Sequence, residues 1–233
     1  MEKITENETV NQRLNRFGNA VSETPAKYTA NPKSGVKCIV LEELTPAENV
    51  AVGNYQDVHP WNEQKQDWSF EILEPWRSKT YCYVINNCCR RSDFYDRMIR
   101  EEKELIDFHI ENLDSAIEKG RVKGNPFIYR GVSDVDWLPK DHSVGTEYVE
   151  DAYGSFSLKL GKALEYTNSE KPIIFQLKIK PEMKALKIDD SEFEVLRPRR
   201  LNYTIVNISK HLIKSSEDEL IEVIFYDIQE KEK

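Results

Sequence analysis

A chain of 233 residues is long enough for one domain with a sizeable core, or one domain plus an arm. Its formal net charge of -8 excludes a general nucleic-acid binder and leaves open only a local basic patch. No stretch approaches the length of a membrane span, and the polar start Met1-Glu2-Lys3-Ile4-Thr5-Glu6-Asn7-Glu8 lacks the apolar core of a secretory signal. A cytoplasmic or intracellular location, in the producing or in a target cell, is therefore expected, with no membrane partner. The four cysteines, Cys38, Cys82, Cys88 and Cys89, contain no Cys-x-x-Cys pair and stand far in sequence from His59, His109, His142 and His211. That spacing suits reduced, structural thiols better than a metal site, so no metal is expected.

Taken in order, residues 1–35 are rich in Asn, Thr, Glu and Lys and carry Pro25 and Pro32. They read as a flexible arm, with a short amphipathic helix possible over Val10 to Phe17. Residues 36–229 read as a single domain. Val36 to Leu41 suits a strand. Thr45-Pro46-Ala47-Glu48 is a helix start, with Thr45 as N-cap, Pro46 at the first position and Glu48 completing a capping box, and the helix runs towards Tyr55. His59 to Pro75, with Trp61 and Trp68 and with Trp76 just beyond, reads as an irregular insertion whose tryptophans serve either as a contact surface or as loop anchors.

Tyr81 to Cys89 places Val84, Ile85 and Cys88 at helical spacing. Ser92-Asp93-Phe94-Tyr95 then caps one long helix with an apolar stripe from Met98 to Ile117, stopped by Gly120. His109 in that helix reads as a surface residue. After Gly124-Asn125-Pro126 the period changes, and Phe127 to Val132 reads as a buried strand containing Arg130. Asp134 to Glu150 is a polar loop. Phe156 to Leu160 reads as a strand, Leu160 to Tyr166 as a helix, and Ile173 to Ile179, Ala185 to Ile188, Glu194 to Leu196, Tyr203 to Ile208 and Leu220 to Ile228 as strands. Helices first and strands afterwards indicate an α+β domain on antiparallel sheets.

Three short pieces carry the chemistry. Tyr129-Arg130-Gly131 holds a cation that cannot be neutralised in an apolar strand, so Arg130 needs an anionic partner, either an internal carboxylate or a diphosphate. Ser155-Phe156-Ser157 aims two hydroxyls the same way, at a ligand or at backbone groups. In Glu192-Phe193-Glu194, an extended strand places both carboxylates on one face and Phe193 with Val195 on the other. Like charges side by side do not favour folding, so the pair is either a solvated strand face or a site.

In this order and with these flanks, the three pieces resemble the arginine–serine–glutamate branch of the ADP-ribosyltransferase exoenzyme toxins, from about Leu44 to about Ile208. Leu44 to Glu48 with Tyr55 is similar to the family's first helix, and Glu111 to Ile117 to the helix before the arginine strand. Ala163-Leu164-Glu165-Tyr166 is similar to the helix after the serines, and Pro198 with Tyr203 to the turn after the glutamates. Phe156 departs from the usual threonine. The short segment Asp189-Asp190-Ser191 departs from the longer acceptor loop.

The resemblance implies N-terminal helices followed by a two-sheet antiparallel β core, and NAD as substrate. It implies a reaction that breaks the nicotinamide–ribose bond and passes ADP-ribose to an acceptor. By resemblance Glu194 hydrogen-bonds the ribose hydroxyl and stabilises the cationic transition state, with Ser155 orienting it. Arg130 holds phosphates and ribose, Gly131 meets the nicotinamide amide through its backbone, Ser157 contributes to cofactor binding and Tyr166 stacks on nicotinamide. Glu192 faces the acceptor, which the Glu-x-Glu pattern makes a protein arginine, a group that stays protonated in water. The implied partner is a target protein and the implied chain a monomer. Two other readings are NAD hydrolysis or transfer to a non-arginine acceptor such as nucleic acid, and an inactive binding module.

Overall fold

The computed structural model describes residues 37–57, 79–124, 126–168, 170–189, 193–214 and 220–231. The expected arm, its helix near Val10 and the three tryptophans of the insertion lie outside the described residues. The first helix, α1 (Pro46–Gln56), is built as its sequence dictates. The Thr45 side chain accepts from the Glu48 backbone N–H at 3.2 Å, and the Glu48 carboxylate accepts from the Thr45 N–H at 2.6 Å. Helix α2 (Tyr81–Arg90) starts on Thr80, whose side chain accepts from Tyr83 N–H.

The single long helix expected after Ser92 is two: α3 (Ser92–Asp96) and α4 (Arg100–Lys119). Ile99 takes an extended conformation, and its N–H donates to the buried Glu102 side chain at 3.0 Å. Glu102 thus restarts the helix at a point where the apolar stripe gives no sign of a break. His109 is buried rather than exposed, as Asn54 reaches its Nε2 at 2.9 Å and its Nδ1 meets the Leu105 carbonyl at 2.8 Å. Burial holds this imidazole below its ordinary value, hence neutral.

Strands β1 (Lys37–Val40) and β2 (Gly120–Lys123) pair antiparallel in a small sheet. Gly120 ends α4 and opens β2, and a Cβ there would lie 2.5 Å from the Ala185 carbonyl oxygen. The remaining strands are β3 (Phe127–Val132), β4 (Glu147–Glu150), β5 (Gly154–Ser157), β6 (Ile173–Lys178), β7 (Leu186–Asp189), β8 (Glu194–Arg197), β9 (Leu201–Lys214) and β10 (Leu220–Glu230). Among the described residues they form one ladder in the order β4-β9-β10-β6-β3-β5-β8-β7. All pairings in it are antiparallel except β10 with β6. The ladder has two halves, joined between β3 and β5 at one registered pair, Tyr129 with Ser157. Strand β4 corrects the polar loop expected there: Tyr148 and Glu150 turn inward while Glu147 and Val149 face out.

The α+β order, helices followed by a mostly antiparallel sheet, is as expected. Helix α5 (Leu160–Leu164) packs with Tyr129, Ile174 and Phe225. The larger helices α1, α2 and α4 cover Tyr153, Leu186 and Leu196. A third apolar cluster, including Ile128, Phe156, Phe175, Val195 and Tyr203, fills the other face of the sheet. No helix among the described residues is long and apolar enough to cross a membrane.

Glu48 does more than cap α1. Its buried carboxylate also accepts from Lys119 Nζ at 2.7 Å and Ser115 Oγ at 2.6 Å on α4. Burial alone would raise its pKa, but these bonds with that of Thr45 outweigh it and bring the group from 4.5 to about 2. Because the folded value is the depressed one, the stabilisation is complete above about pH 4.5 and is lost as pH falls towards 2. We expect Glu48→Gln to cost about 2–3 kcal/mol near neutral pH and almost nothing near pH 2. Denaturant unfolding of both proteins at the two pH values checks this, and a gap that does not narrow in acid refutes it.

Candidate active site

A cleft of about 510 Å³ opens where the halves of the sheet meet, between α1 and α2 on one side and α5 on the other. It is lined by Arg130, Gly131, Ser155, Ser157, Tyr166 and Glu194, all singled out from the sequence, together with Tyr55 on α1. Chain order separates these residues widely, and sheet register brings them together. Ser157 stands beside Tyr129 on one side and Glu194 on the other, and Ser155 pairs with Leu196. Residues opposite each other in an antiparallel pair project to the same face, so Glu194 and both serines face the α1–α2 layer. Phe156 and Val195 project the other way into the core. The phenylalanine that replaces the expected threonine therefore leaves both hydroxyls where they were expected.

The serines differ in their surroundings. Ser157 is buried, and its Oγ accepts from the Lys159 N–H at 3.0 Å. Ser155 is half-buried and hydrogen-bonds towards the Tyr55 hydroxyl, which also accepts from Asn86 Nδ2 at 2.9 Å. Burial drives the Tyr55 hydroxyl well above its ordinary value, so it stays protonated. Cys82 also lines the cleft; burial and then the nearby Glu194 carboxylate push its thiol upward, which leaves it a neutral wall rather than a nucleophile. Tyr166 is 49% exposed and lines the cleft.

Arg130 is anchored from a direction the sequence did not reveal. Its Nη1 donates to Glu150 Oε2 at 2.5 Å, and Arg90 at the end of α2 donates to Glu150 Oε1 at 2.9 Å through Nη2 and 3.2 Å through Nε. Burial disfavours the Arg130 charge, but Glu150 more than compensates and holds the guanidinium protonated. Burial likewise opposes ionisation of Glu150, and the two guanidinium groups keep it below the usual carboxylate range. Glu150, Arg90, Cys82, Gln56 and Lys162 were not identified from the sequence. One signal existed: Cys82, Asn86 and Arg90 fall at i, i+4 and i+8 along α2.

Glu192 lies outside the described residues. The premise that placed it beside Glu194 needs correction, because β8 begins only at Glu194 and Phe193 has φ 54°. A residue in the left-handed region breaks the alternation on which a shared face depends.

A second cavity, of about 590 Å³, lies at the far end of β8. Its charges are largely spent on one another: Arg199 on Asp114, Arg197 on Glu230 and Lys184 on Glu118. The cleft at Glu194 is lined by Arg130, paired with Glu150, and Lys162, paired with Glu165, beside the exposed ring of Tyr166. Its volume falls within the roughly 300–1,000 Å³ usual for small-molecule sites. Among the described residues no group of three or more His, Cys, Asp or Glu is placed to hold a metal ion.

The family model for ADP-ribosyltransferase exoenzymes matches residues 77–226. Among solved structures, the chain is similar to the enzymatic component C2-I of the C2 toxin of Clostridium botulinum. That likeness has 16% identity and a TM-score of 0.56, covering 81% of this chain and 44% of that one. It is also similar to Vis, an ADP-ribosyltransferase of Vibrio splendidus solved in complex with agmatine, at 18% identity and a TM-score of 0.55, covering 100% of this chain and 88% of that one. A third likeness is to BECa, the ADP-ribosylating toxin of a binary enterotoxin of C. perfringens, solved with NADH. It has 16% identity and a TM-score of 0.51, covering 81% of this chain and 45% of that one. The chain thus spans less than half the length of C2-I and BECa, and these likenesses show the fold. No curated protein matches the chain by sequence.

The cleft depends on Gly131 having no side chain. A Cβ there would lie 1.9 Å from the Ala163 carbonyl oxygen and 3.0 Å from Thr167 Cγ2, so α5 rests directly on the β3 backbone. Gly131→Ala should push α5 away, cost about 1–3 kcal/mol and lower the melting temperature. Thermal unfolding checks this, and a variant that melts with the parent means that α5 is not held where the close approach places it.

Proposed function

The chain belongs to the ADP-ribosyltransferase exoenzyme family, and from that premise we propose that it transfers ADP-ribose from NAD to arginine side chains of a target protein. The observation that carries the proposal is the assembly of Arg130, Ser155, Tyr166 and Glu194 in one cleft. NAD fits this set. Its diphosphate suits the cations Arg130 and Lys162, and its nicotinamide ring suits the exposed face of Tyr166. Gly131 lines the same cleft beside Arg130.

The reaction breaks the bond between nicotinamide and the ribose carbon, and nicotinamide leaves with the bonding electrons. The leaving group is already a cation in NAD, so no strong general acid is required. Positive charge develops on the ribose, and a fixed carboxylate beside it stabilises that charge in the transition state. Glu194 supplies it, held on β8 opposite Ser157, with Ser155 positioned between Tyr55 and the cleft. An acceptor nitrogen then bonds to the ribose carbon and must lose a proton. A guanidinium keeps its proton in water, so a second carboxylate, Glu192, binds the acceptor and takes that proton. Agmatine, seen with Vis, carries the same guanidinium group as an arginine side chain, which supports arginine as the acceptor here.

The two carboxylates should be separable. Glu194→Gln should abolish both nicotinamide release and protein labelling. Glu192→Gln should lose labelling of arginine yet keep much of the slow hydrolysis of NAD, because water needs less activation than a guanidinium. Both substitutions are nearly isosteric, so melting temperatures should stay within roughly the range of surface substitutions. Activity retained by Glu194→Gln, or equal loss of both activities in Glu192→Gln, overturns these roles.

Tyr166→Ala offers an independent check on the substrate. An exposed lip residue should unfold like the parent while NAD use falls, and Tyr166→Phe should be nearly silent, since aromatic contacts contribute about 0.5–1.5 kcal/mol beyond their area. A destabilised Tyr166→Ala protein with unchanged NAD use argues against this placement.

A further inference from the structure

We infer that Glu150 is a positioning residue for Arg130, and that Arg90 is the strut that holds Glu150 in place. The inference rests on the reading that the cleft binds NAD. It starts from how each oxygen of Glu150 is used. Oε2 takes Arg130 Nη1, while Oε1 takes Nε and Nη2 of Arg90 and the Ala152 N–H at 3.3 Å. With Oε1 fully engaged, Glu150 cannot turn to grip Arg130 with both oxygens. Arg130 is therefore held by one corner of its fork. Among the described residues its Nε and Nη2 donate to no other group, and the guanidinium lines the cleft. A guanidinium is planar, so fixing one corner and the chain attachment fixes where the other donors point.

Two residues that do not line the cleft thus set its anion-binding geometry. Strand β4 brings Glu150 inward, and α2 carries Arg90 on the stripe that also presents Asn86 to Tyr55 and Cys82 to the cleft wall. Both are far from Arg130 in sequence, and neither Arg90 nor Glu150 touches the cleft.

A purely electrostatic role for Glu150 would have the opposite consequence from a positioning role. Removing its charge leaves two uncompensated guanidinium groups near the cleft, and Coulomb attraction alone would then bind an anionic substrate more tightly. Positioning requires the reverse, because a freed Arg130 loses its fixed fork. Glu150→Gln should raise the KM for NAD by about tenfold, the scale of one hydrogen bond to a charged group, with a smaller change in kcat. Arg90→Met, whose parent side chain is partly exposed, should fold normally and raise KM in the same direction but by less.

The experiment pairs NAD kinetics, read as nicotinamide release, with nitrogen NMR of the Arg130 guanidinium in full-length protein. Pinning one Nη should slow rotation of the Arg130 Nη pair in the parent, and Glu150→Gln should release it whether or not NAD is used. Melting temperature separates misfolded variants, in which case Arg90→Met alone decides. Free rotation in the parent, or a KM that falls or stays level in the variants, overturns the inference while leaving the functional reading intact. A parent that releases no nicotinamide overturns the functional reading, and the rotation measurement then decides whether Glu150 fixes Arg130.

Discussion

The charge on Arg130 cannot be removed by any pH the protein meets, so a strand that carries it must find it a counter-charge or leave it to water. Burying an isolated guanidinium would cost more than the fold can spare, and an ion pair in low dielectric is favourable only when its remaining donors and acceptors are satisfied. Glu150 meets the first condition, and Arg90 with the Ala152 N–H meets the second for Glu150, while the Arg130 side chain lines the cleft. The triad carries a net positive charge, so the cleft keeps an electropositive end after the internal pairing is complete. A structural ion pair and a residue lining the cleft are here the same object.

The junction of the sheet explains why there is a cleft beside that triad at all. Strands β3 and β5 share one registered pair and then diverge, and the gap is covered neither by the α1–α2 layer nor by α5. Side chains that a continuous ladder would press against neighbours instead face open space. The same separation leaves Ser155 free to meet Tyr55, whereas Ser157, nearer the junction, is taken up with its own backbone. Rigidity comes from elements around the gap: Gly131 lets α5 sit directly on β3, and Asn86 ties α2 to Tyr55 on α1.

Features governed by neighbours in the chain were legible in the sequence, and features governed by distant partners were not. The capping box at Thr45 and Glu48 forms as read, because its residues are three apart. Strands β3 and β6 follow from runs of apolar residues that need no partner to be recognised. The split between α3 and α4 was invisible because it turns on where one buried carboxylate, Glu102, points. Residue His109 looked exposed because its packing partners, Tyr81 and Asn54, come from other helices. At the site, Arg130 declared its need for an anion, but which carboxylate answered it depended on β4 folding inward from a polar stretch.

The Glu-x-Glu stretch shows the same limit more sharply. Reading it as extended strand made the two carboxylates equivalent neighbours on one face. Phe193 instead adopts φ 54°, a conformation that costs a bulky residue about 1–3 kcal/mol and persists only where its surroundings over-determine it. Those surroundings are present: the Phe193 carbonyl accepts from Leu158 N–H at 3.0 Å, its ring packs on the core, and Lys159 Nζ lies 3.5 Å from the ring centroid. The consequence is a strand that starts at Glu194 and a backbone that changes direction just before it. Repulsion between adjacent carboxylates on a regular strand would have to be tolerated in full. The left-handed Phe193 removes the regular strand on which a shared face depended, and Glu194, as the first residue of β8, is fixed by the ladder. The position of Glu194 among the residues lining the cleft is thus set by its pairing with Ser157, not by an equivalent neighbour on a shared strand face.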